Sequence, residues 1–242
     1  VGAVLVPLYP TISAKDYAYI LNDCAAEYMF VGNQEIADKI IEVKPQLSRL
    51  KEVFSFDSLP NTTSWNTLFE LSHDVTELMV QERMDAVKPE DMVTIIYTSG
   101  TTGNPKGVML THHNIVSNVK ALIRGKFFGL ASDDKALSFL PLCHIYERTD
   151  IYLYMFYGVS TYYAENMETI ADNIREVKPA MFASVPRLLE KVYDKILAKG
   201  NELTGIKRTL FFGALEFGLQ YDPMEKLGFL DSLKLAFYRK VI

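Results

Sequence analysis

The sequence lacks several features that would direct it to particular classes of protein. Its only cysteines, Cys24 and Cys143, lie far apart without metal-ligand spacing, which excludes a disulfide scaffold and favours a reducing compartment. Basic residues number 25 against 30 acidic ones, and the formal net charge of −5 gives no support to a nucleic-acid binder. No apolar run approaches the ~18 residues of a membrane-spanning helix. Neither a signal peptide, an internal repeat nor a low-complexity segment is present.

What the sequence has is a large apolar fraction in alternating periods. Hydrophobic residues make up 49% of the 242, enough for a substantial core. The first part predicts a strand at 2–8, a helix start at Ser13–Asp16, a strand at 28–31, a helix over 33–43 and a strand at 52–56. This β-α-β-α-β order predicts an α/β fold of layered, mostly parallel sheets with helices on both faces. Ligands collect at the carboxyl ends of strands in such sheets.

Beyond residue 111 the alternation of predicted helices and strands continues. Its weakest junction lies at 125–134, where GKFFGLASDD carries glycines and a turn signal. We therefore expect a partial large domain over 1–242, with subdomains at 1–125 and 126–242. The predicted elements are a helix over about 112–123, strands at 136–140, 160–164 and 180–184, a helix over 170–177, and a helix from Pro186 with Leu188, Leu189, Val192, Tyr193 and Ile196 inward.

The stretch YTSGTTGNPKGV, at 97–108, points most directly to chemistry. A strand-like run precedes it, and Thr111 is a plausible N-cap for the helix that follows. Backbone N–H groups, hydroxyls and the ammonium of Lys106 can converge on a phosphate at such a place. An ordinary flexible loop is the alternative.

The loop does not fit the common phosphate-binding patterns. In a Walker A motif counted from Gly100, Pro105 takes the place of the last glycine and Gly107 that of the Ser/Thr. Proline offers no N–H to a phosphate, and glycine has no hydroxyl for Mg²⁺. The G-x-G-x-x-G pattern fails as well. The loop favours an anion, but it is not an ordinary P-loop.

YTSGTTGNPKG, at 97–107, resembles the phosphate-binding motif of the adenylate-forming (AMP-binding) superfamily. That group includes acyl-CoA synthetases, peptide-synthetase adenylation domains and luciferases. In that family the loop contacts the β- and γ-phosphates of ATP and helps to release pyrophosphate. Hydroxyl groups and a cation stabilise the negative charge of the leaving pyrophosphate. The resemblance implies a catalytic Lys106 and a phosphate-binding set formed by Thr98, Ser99, Gly100, Thr101, Thr102, Gly103 and Lys106.

A second block, LPLCHIYER at 140–148, resembles the next motif of the family in its long-chain fatty acyl-CoA synthetase form. There the histidine lies beside the acyl pocket near the reacting carboxylate. The resemblance therefore implies a catalytic His144 and a substrate pocket that includes His144, Tyr146 and Glu147. A lone polar histidine after a core strand is the alternative. A Cys143–His144 nucleophile pair is disfavoured, because neighbours in an extended segment point to opposite faces.

These resemblances imply an enzyme that uses ATP and Mg²⁺ to convert a long-chain fatty acid into acyl-AMP, and then CoA to form acyl-CoA. In the family, a glutamate that binds Mg²⁺, an aspartate that binds ribose and a lysine of a small C-terminal domain lie in motifs that these 242 residues do not contain. We therefore expect a partial N-terminal domain without the C-terminal domain, inactive alone, whose partners are fatty acid, ATP, CoA and the rest of the polypeptide.

Several alternatives stay open at this point. The parent could be a fatty acyl-AMP ligase that passes its acyl group to a carrier protein, or a non-catalytic nucleotide-binding module. No metal ligands are expected in this segment, because His112 and His113 would diverge as neighbours on a helix. We expect a cytoplasmic location. The apolar, basic-ended stretch 203–242 is either a peripheral contact with the inner membrane surface or a set of buried helices.

Overall fold

The structure is a computed structural model, and it describes residues 2–99, 103–126, 128–222, 224 and 226–241. The chain divides into two units, Val1–Ala183 and Ser184–Ile242. The subdomain boundary expected at 125/126 lies inside the first unit, between a helix and a strand, and it stays a prediction.

The helices begin where the sequence supplies capping side chains. The Asp16 N–H donates to Ser13 Oγ at 3.1 Å, and the Ser13 N–H donates back to the Asp16 carboxylate. Thr111 and Asn114 repeat this exchange at the helix predicted over 112–123. The helices are Ala14–Asp23 (α1), Gln34–Val43 (α2), Thr67–Glu70 (α3), Glu77–Ala86 (α4), His112–Arg124 (α5), Ile145–Tyr157 (α6), Ile170–Val177 (α7), Pro186–Glu202 (α8), Gly205–Gln220 (α9) and Phe229–Val241 (α10), with a 3-10 turn at Lys44–Gln46.

The strands pair mostly in parallel, in three groups. They are Tyr28–Val31 (β1), Glu52–Ser55 (β2), Thr63–Ser64 (β3), Met92–Thr98 (β4), Lys106–Thr111 (β5), Lys135–Ser138 (β6) and Ser160–Tyr163 (β7). β1, β2 and β3 form one parallel sheet in that order, β6 and β7 pair in parallel, and β4 and β5 pair antiparallel. The predicted α/β class with mostly parallel sheets is confirmed.

The main hydrophobic core lies between α1, α2 and one face of the first sheet. Tyr17 and Leu21 of α1 meet Ile40 of α2 and the strand residues Val31 and Val53, all almost fully buried. Each buried aliphatic side chain of this kind contributes about 1.5–3 kcal/mol, so this cluster stabilises α1 firmly against the sheet.

Strand β4 is joined by polar bonds to two distant segments of the first unit. The Leu5 N–H donates to Val93 O and the Ile95 N–H donates to Leu5 O, at 3.0 and 3.1 Å. The hydroxyl of Thr94, which is 0% exposed, donates to Leu5 O at 2.7 Å and accepts from Arg148 Nη1 of α6 at 2.7 Å. One buried hydroxyl therefore links the N-terminal segment, β4 and α6.

Two predicted strands shrink to isolated bridges. The strand expected at 2–8 pairs only at Leu5, opposite Thr94, since Pro7 has no N–H to extend a ladder. The strand expected at 180–184 pairs only at Met181, opposite Ala136. Both residues still lie parallel to a neighbouring strand, so the predicted direction of the chain is correct although the predicted length is not.

The inward face predicted for α8 is wrong at four of its five positions. Leu188 is buried, but Leu189, Val192, Tyr193 and Ile196 are 39–61% exposed. The neighbouring α9 instead approaches α8 near its end, where a Cβ added to Gly200 would lie 2.1 Å from a ring atom of Phe211. Within the described residues, no helix is long and apolar enough to cross a membrane.

The Thr94 hydroxyl predicts a measurable difference between two substitutions. Thr94→Val should lower the free energy of unfolding of the chain by about 3 kcal/mol, because it leaves the buried Arg148 donor without its partner. Thr94→Ser keeps the hydroxyl and should cost about 1 kcal/mol, the value of one buried methyl group. Urea unfolding followed by circular dichroism measures both, and equal losses would contradict this role.

Candidate functional site

The phosphate-loop candidate lies at the end of an antiparallel hairpin. The Cα atoms of Thr98 and Lys106 are register partners, and Tyr97 pairs with Gly107 behind them. The predicted order of strand, loop and helix is thus corrected, because the chain returns along β4 as β5 before α5 begins. This pairing covers the edge of β4 that does not face Leu5.

The described members of the predicted phosphate-binding set surround this hairpin end. Thr98, Ser99 and Lys106 are exposed, so their hydroxyls and ammonium can meet an anion. Gly103 has φ +99°, a backbone region that glycine enters without the steric cost of a Cβ. The other predicted members, Gly100, Thr101 and Thr102, lie outside the described residues.

His144 caps the N-terminus of α6. Its Nδ1 accepts a hydrogen bond from the backbone N–H of Tyr146 at 3.1 Å, and the backbone N–H of His144 donates to Pro141 O at 2.9 Å. Because Nδ1 is an acceptor, the neutral imidazole carries its hydrogen on Nε2, the nitrogen left to meet a ligand. His144 is exposed beside the positive end of a helix dipole, which favours a carboxylate nearby.

The segment before His144 is a turn, not the extended strand expected there. Leu142 and Cys143 form the turn, so the orientation argument against a Cys143–His144 pair does not apply. A different argument replaces it. Cys143 is buried, and burial raises the pKa of its thiol more than the nearby Tyr9 hydroxyl lowers it. A buried thiol that stays protonated is a poor nucleophile.

Tyr146 and Glu147 lie on different sides of α6. Tyr146 is 45% exposed, whereas Glu147 is 1% exposed. Burial raises the pKa of Glu147, while hydrogen bonds from the Ser138 side chain and the Phe139 backbone, at the end of β6, oppose the rise. The structure therefore brings His144 and Tyr146 together at the exposed helix start. The Glu147 side chain is instead buried inside the first unit, and the role of Glu147 in a substrate pocket stays a prediction.

A buried acidic face of α6 escaped the sequence analysis. Asp150 and Tyr154 follow Glu147 at helical spacing, and each has a buried polar atom without a hydrogen-bond partner among the described residues. Burial, and then the charge of Glu147, raise the pKa of Asp150 to about 6. Acidic residues three apart on an otherwise apolar helix were the only signal in the sequence.

The hairpin and α6 are connected through the Arg148–Thr94 hydrogen bond, four residues before Thr98. The described part of the chain groups no three His, Cys, Asp or Glu side chains in a way that could hold a metal ion. Chemically, the arrangement offers hydroxyls and a cation at one exposed position and an imidazole at another.

Residues 1–218 match the model of the family described as AMP-binding enzyme. The long-chain-fatty-acid–CoA ligase ACSBG2 of Xenopus laevis is 36% identical over 230 residues, which cover 90% of this chain and 31% of that protein. The peroxisomal long chain acyl-CoA synthetase 6 of Arabidopsis thaliana is 35% identical over 223 residues, 87% of this chain and 31% of that protein. The chain thus spans about a third of the length of these curated relatives.

A solved structure shows the same fold. The crystal structure of a long-chain-fatty-acid-CoA ligase from Archaeoglobus fulgidus superposes with a TM-score of 0.61 and 27% identity. The match covers 80% of this chain and 37% of that one.

The raised pKa of Asp150 predicts a dependence of stability on pH. The folded chain holds this proton up to about pH 6, whereas the unfolded chain releases it near the usual aspartate pKa of 3.8, so the stability contributed here falls as pH rises from about 4 through 6. Asp150→Asn removes the charge. It should raise the free energy of unfolding at pH 7.5 by on the order of 2 kcal/mol and have little effect at pH 4.

Thermal melts of the chain between pH 4 and 8 measure this difference. Asp74→Asn, at an exposed carboxyl, is the matched control and should leave the pH profile unchanged. Parallel profiles for wild type and Asp150→Asn would show that the carboxyl is ionised without cost.

Proposed function

Because this chain belongs to the AMP-binding enzyme family, we propose that it forms part of an ATP-dependent long-chain fatty acid–CoA ligase. The observation that carries the proposal is the hairpin in which Thr98 and Lys106 face each other at the end of YTSGTTGNPKG. The activity belongs to the longer protein, and the 242 residues alone should bind ATP weakly and form no acyl-CoA. Acyl-CoA formed from ATP by this chain alone would contradict that expectation.

The proposed reaction has two steps. A fatty carboxylate oxygen attacks the α-phosphorus of ATP, and the bond to the β-phosphate oxygen breaks to give acyl-AMP and pyrophosphate. The CoA thiol then loses its proton and attacks the acyl carbon, which releases AMP and leaves acyl-CoA. Negative charge grows on the departing pyrophosphate in the first step, and that charge is what the loop must stabilise.

Each predicted site residue has a role in this scheme. Lys106 supplies positive charge to the leaving phosphates, and Thr98, Ser99, Gly100, Thr101, Thr102 and Gly103 supply hydroxyl and N–H donors. His144, with Tyr146 beside it, orients the fatty carboxylate at the start of α6, where its Nε2–H can donate. Glu147, the third predicted residue of the substrate pocket, would contribute to that pocket from inside the unit, where it is buried.

Magnesium is proposed to accompany ATP and to neutralise phosphate charge. The described residues of this chain present no cluster of ligands for it.

A cytoplasmic location and a peripheral membrane contact belong to the same proposal. The exposed Phe229 and Leu230 of α10, with Arg239 and Lys240 in its last turn, support the membrane contact. Co-sedimentation of the longer protein with anionic lipid vesicles tests this contact. A protein that stays in the supernatant at low salt would contradict the proposed membrane contact.

Exchange of labelled pyrophosphate into ATP, with and without palmitate, tests the main proposal on the longer protein. Exchange that requires palmitate, followed by acyl-CoA formation with CoA, supports it. Exchange without transfer to CoA would instead identify an acyl-AMP ligase that serves a carrier protein. If calorimetry shows tight ATP binding that palmitate does not change, and no pyrophosphate exchange occurs, the protein is a nucleotide-binding module.

Lys106 predicts a selective loss in the same assay. Lys106→Ala should slow palmitate-dependent exchange by about 10–100-fold, because the leaving pyrophosphate loses a charged partner. Palmitate binding to the enzyme, measured by calorimetry, should change less than about twofold, because the lysine acts on phosphate. Lys120→Ala, at an exposed lysine of α5, is the control and should behave as wild type. Equal losses of exchange and palmitate binding would contradict the assigned role.

A further inference from the structure

Tyr97 occupies an unusual place just behind the phosphate hairpin. It is the last buried residue of β4, 9% exposed, and its hydroxyl donates to Asp23 Oδ2 at 2.5 Å. The two residues are 74 positions apart in the sequence. A short hydrogen bond of this kind to a carboxylate is among the stronger ones in proteins. It ties the base of the hairpin to α1.

The Tyr97 ring also lies close to Gly107. Gly107 is the Cα partner of Tyr97 in the hairpin. A Cβ added there would lie 3.1 and 3.3 Å from the ring atoms Cζ and Cε1 of Tyr97, and 2.8 Å from Cγ2 of Ile95. Glycine at this position therefore avoids close contacts with the side chains of Tyr97 and Ile95.

Asp23, the partner of Tyr97, lies at the end of a helix that the main hydrophobic core holds in place. Asp23 is the last residue of α1, where the carbonyl end of a helix disfavours a negative charge, and no basic residue lies in that last turn. The Tyr97 hydroxyl supplies the donor that this carboxylate needs. Tyr17 and Leu21 hold α1 in the main core, so Asp23 is a firm anchor.

The hydroxyl remains a donor over the working range of an enzyme. Burial first, and then the hydrogen bond to Asp23, raise the pKa of Tyr97 well above its usual value of 10.0. The phenol therefore keeps its proton between pH 6 and 9 and can donate it to Asp23 throughout that range.

Resting on the proposed function, we propose that Tyr97 is a positioning residue of adenylation, held between Asp23 and Gly107 so that the phosphate hairpin keeps one fixed place. Thr98 directly follows Tyr97, and Lys106 directly precedes Gly107. A rotation of this pair would move both phosphate partners at once. Displacements of about 1 Å at a reacting centre can cost on the order of 10²-fold in rate.

The test uses palmitate-dependent pyrophosphate exchange by the longer enzyme. Tyr97→Phe keeps the ring over Gly107 and removes only the bond to Asp23. It should raise the KM for MgATP and thereby lower kcat/KM for MgATP about tenfold, while the KM for palmitate changes less than about twofold. Asp23→Ala should have the same effect, and the double variant should be no worse than either single one, because all three lose the same bond.

Two further variants separate positioning from stability. Asp23→Asn keeps an oxygen acceptor and should restore most of the activity that Asp23→Ala loses. Tyr163→Phe, at an exposed tyrosine of β7, is the control for loss of a phenol and should match wild type. If Tyr97→Phe does not fold, the exposed Asp23 still allows the test from the other partner.

The outcomes are distinct. A fall in kcat that leaves the KM values for both palmitate and MgATP unchanged, or additive losses in the double variant, would assign Tyr97 a structural role and overturn the inference. Wild-type activity in Tyr97→Phe would overturn it too, and leave the proposed function standing. A wild-type enzyme without palmitate-dependent exchange would overturn the proposed function and this inference with it.

Discussion

The first unit depends on the satisfaction of buried polar groups along strand β4. The Thr94 hydroxyl bonds both to Leu5 O and to Arg148, and in doing so it joins three segments separated by dozens of residues. Three positions later, Tyr97 makes the same kind of connection to α1. An unpaired donor in either place would cost more than the bond contributes, so these contacts set where the strand can lie. The hairpin extends from that fixed strand.

Helix α6 combines two opposing environments. His144 and Tyr146 at its start are exposed and can meet a ligand, while the acidic face that begins with the next residue, Glu147, and continues to Asp150 is buried. The buried Asp150 holds a proton more tightly than a solvated aspartate, which weakens the folded state at neutral pH. Arg148 connects this helix to Thr94 and not to the carboxylates. Functional sites of enzymes often lower the stability of the folded state in this way.

Much of the fold follows from local sequence. The capping boxes at Ser13 and Thr111 and the alternating apolar periods predicted helix starts and most strands correctly, because those signals act between residues a few positions apart. The predictions failed where the structure of a segment depends on which distant segment it pairs or packs with. Leu5 makes only a bridge, β5 replaces a loop, and the apolar face of α8 is exposed. Each outcome depends on a distant segment, which a periodic pattern does not identify.

The sequence by itself predicted an anion-binding loop, because hydroxyls, glycines and Lys106 in that order suit an anion wherever the loop lies. It also determined the family, through ordered motifs that residues 1–218 share with it. Only the tertiary structure decided that Glu147 turns inward while Tyr146 stays exposed, and that Asp23 supports Tyr97 from 74 residues away. Burial and long-range hydrogen bonds arise when separate segments pack together, and no local pattern encodes which segments will meet.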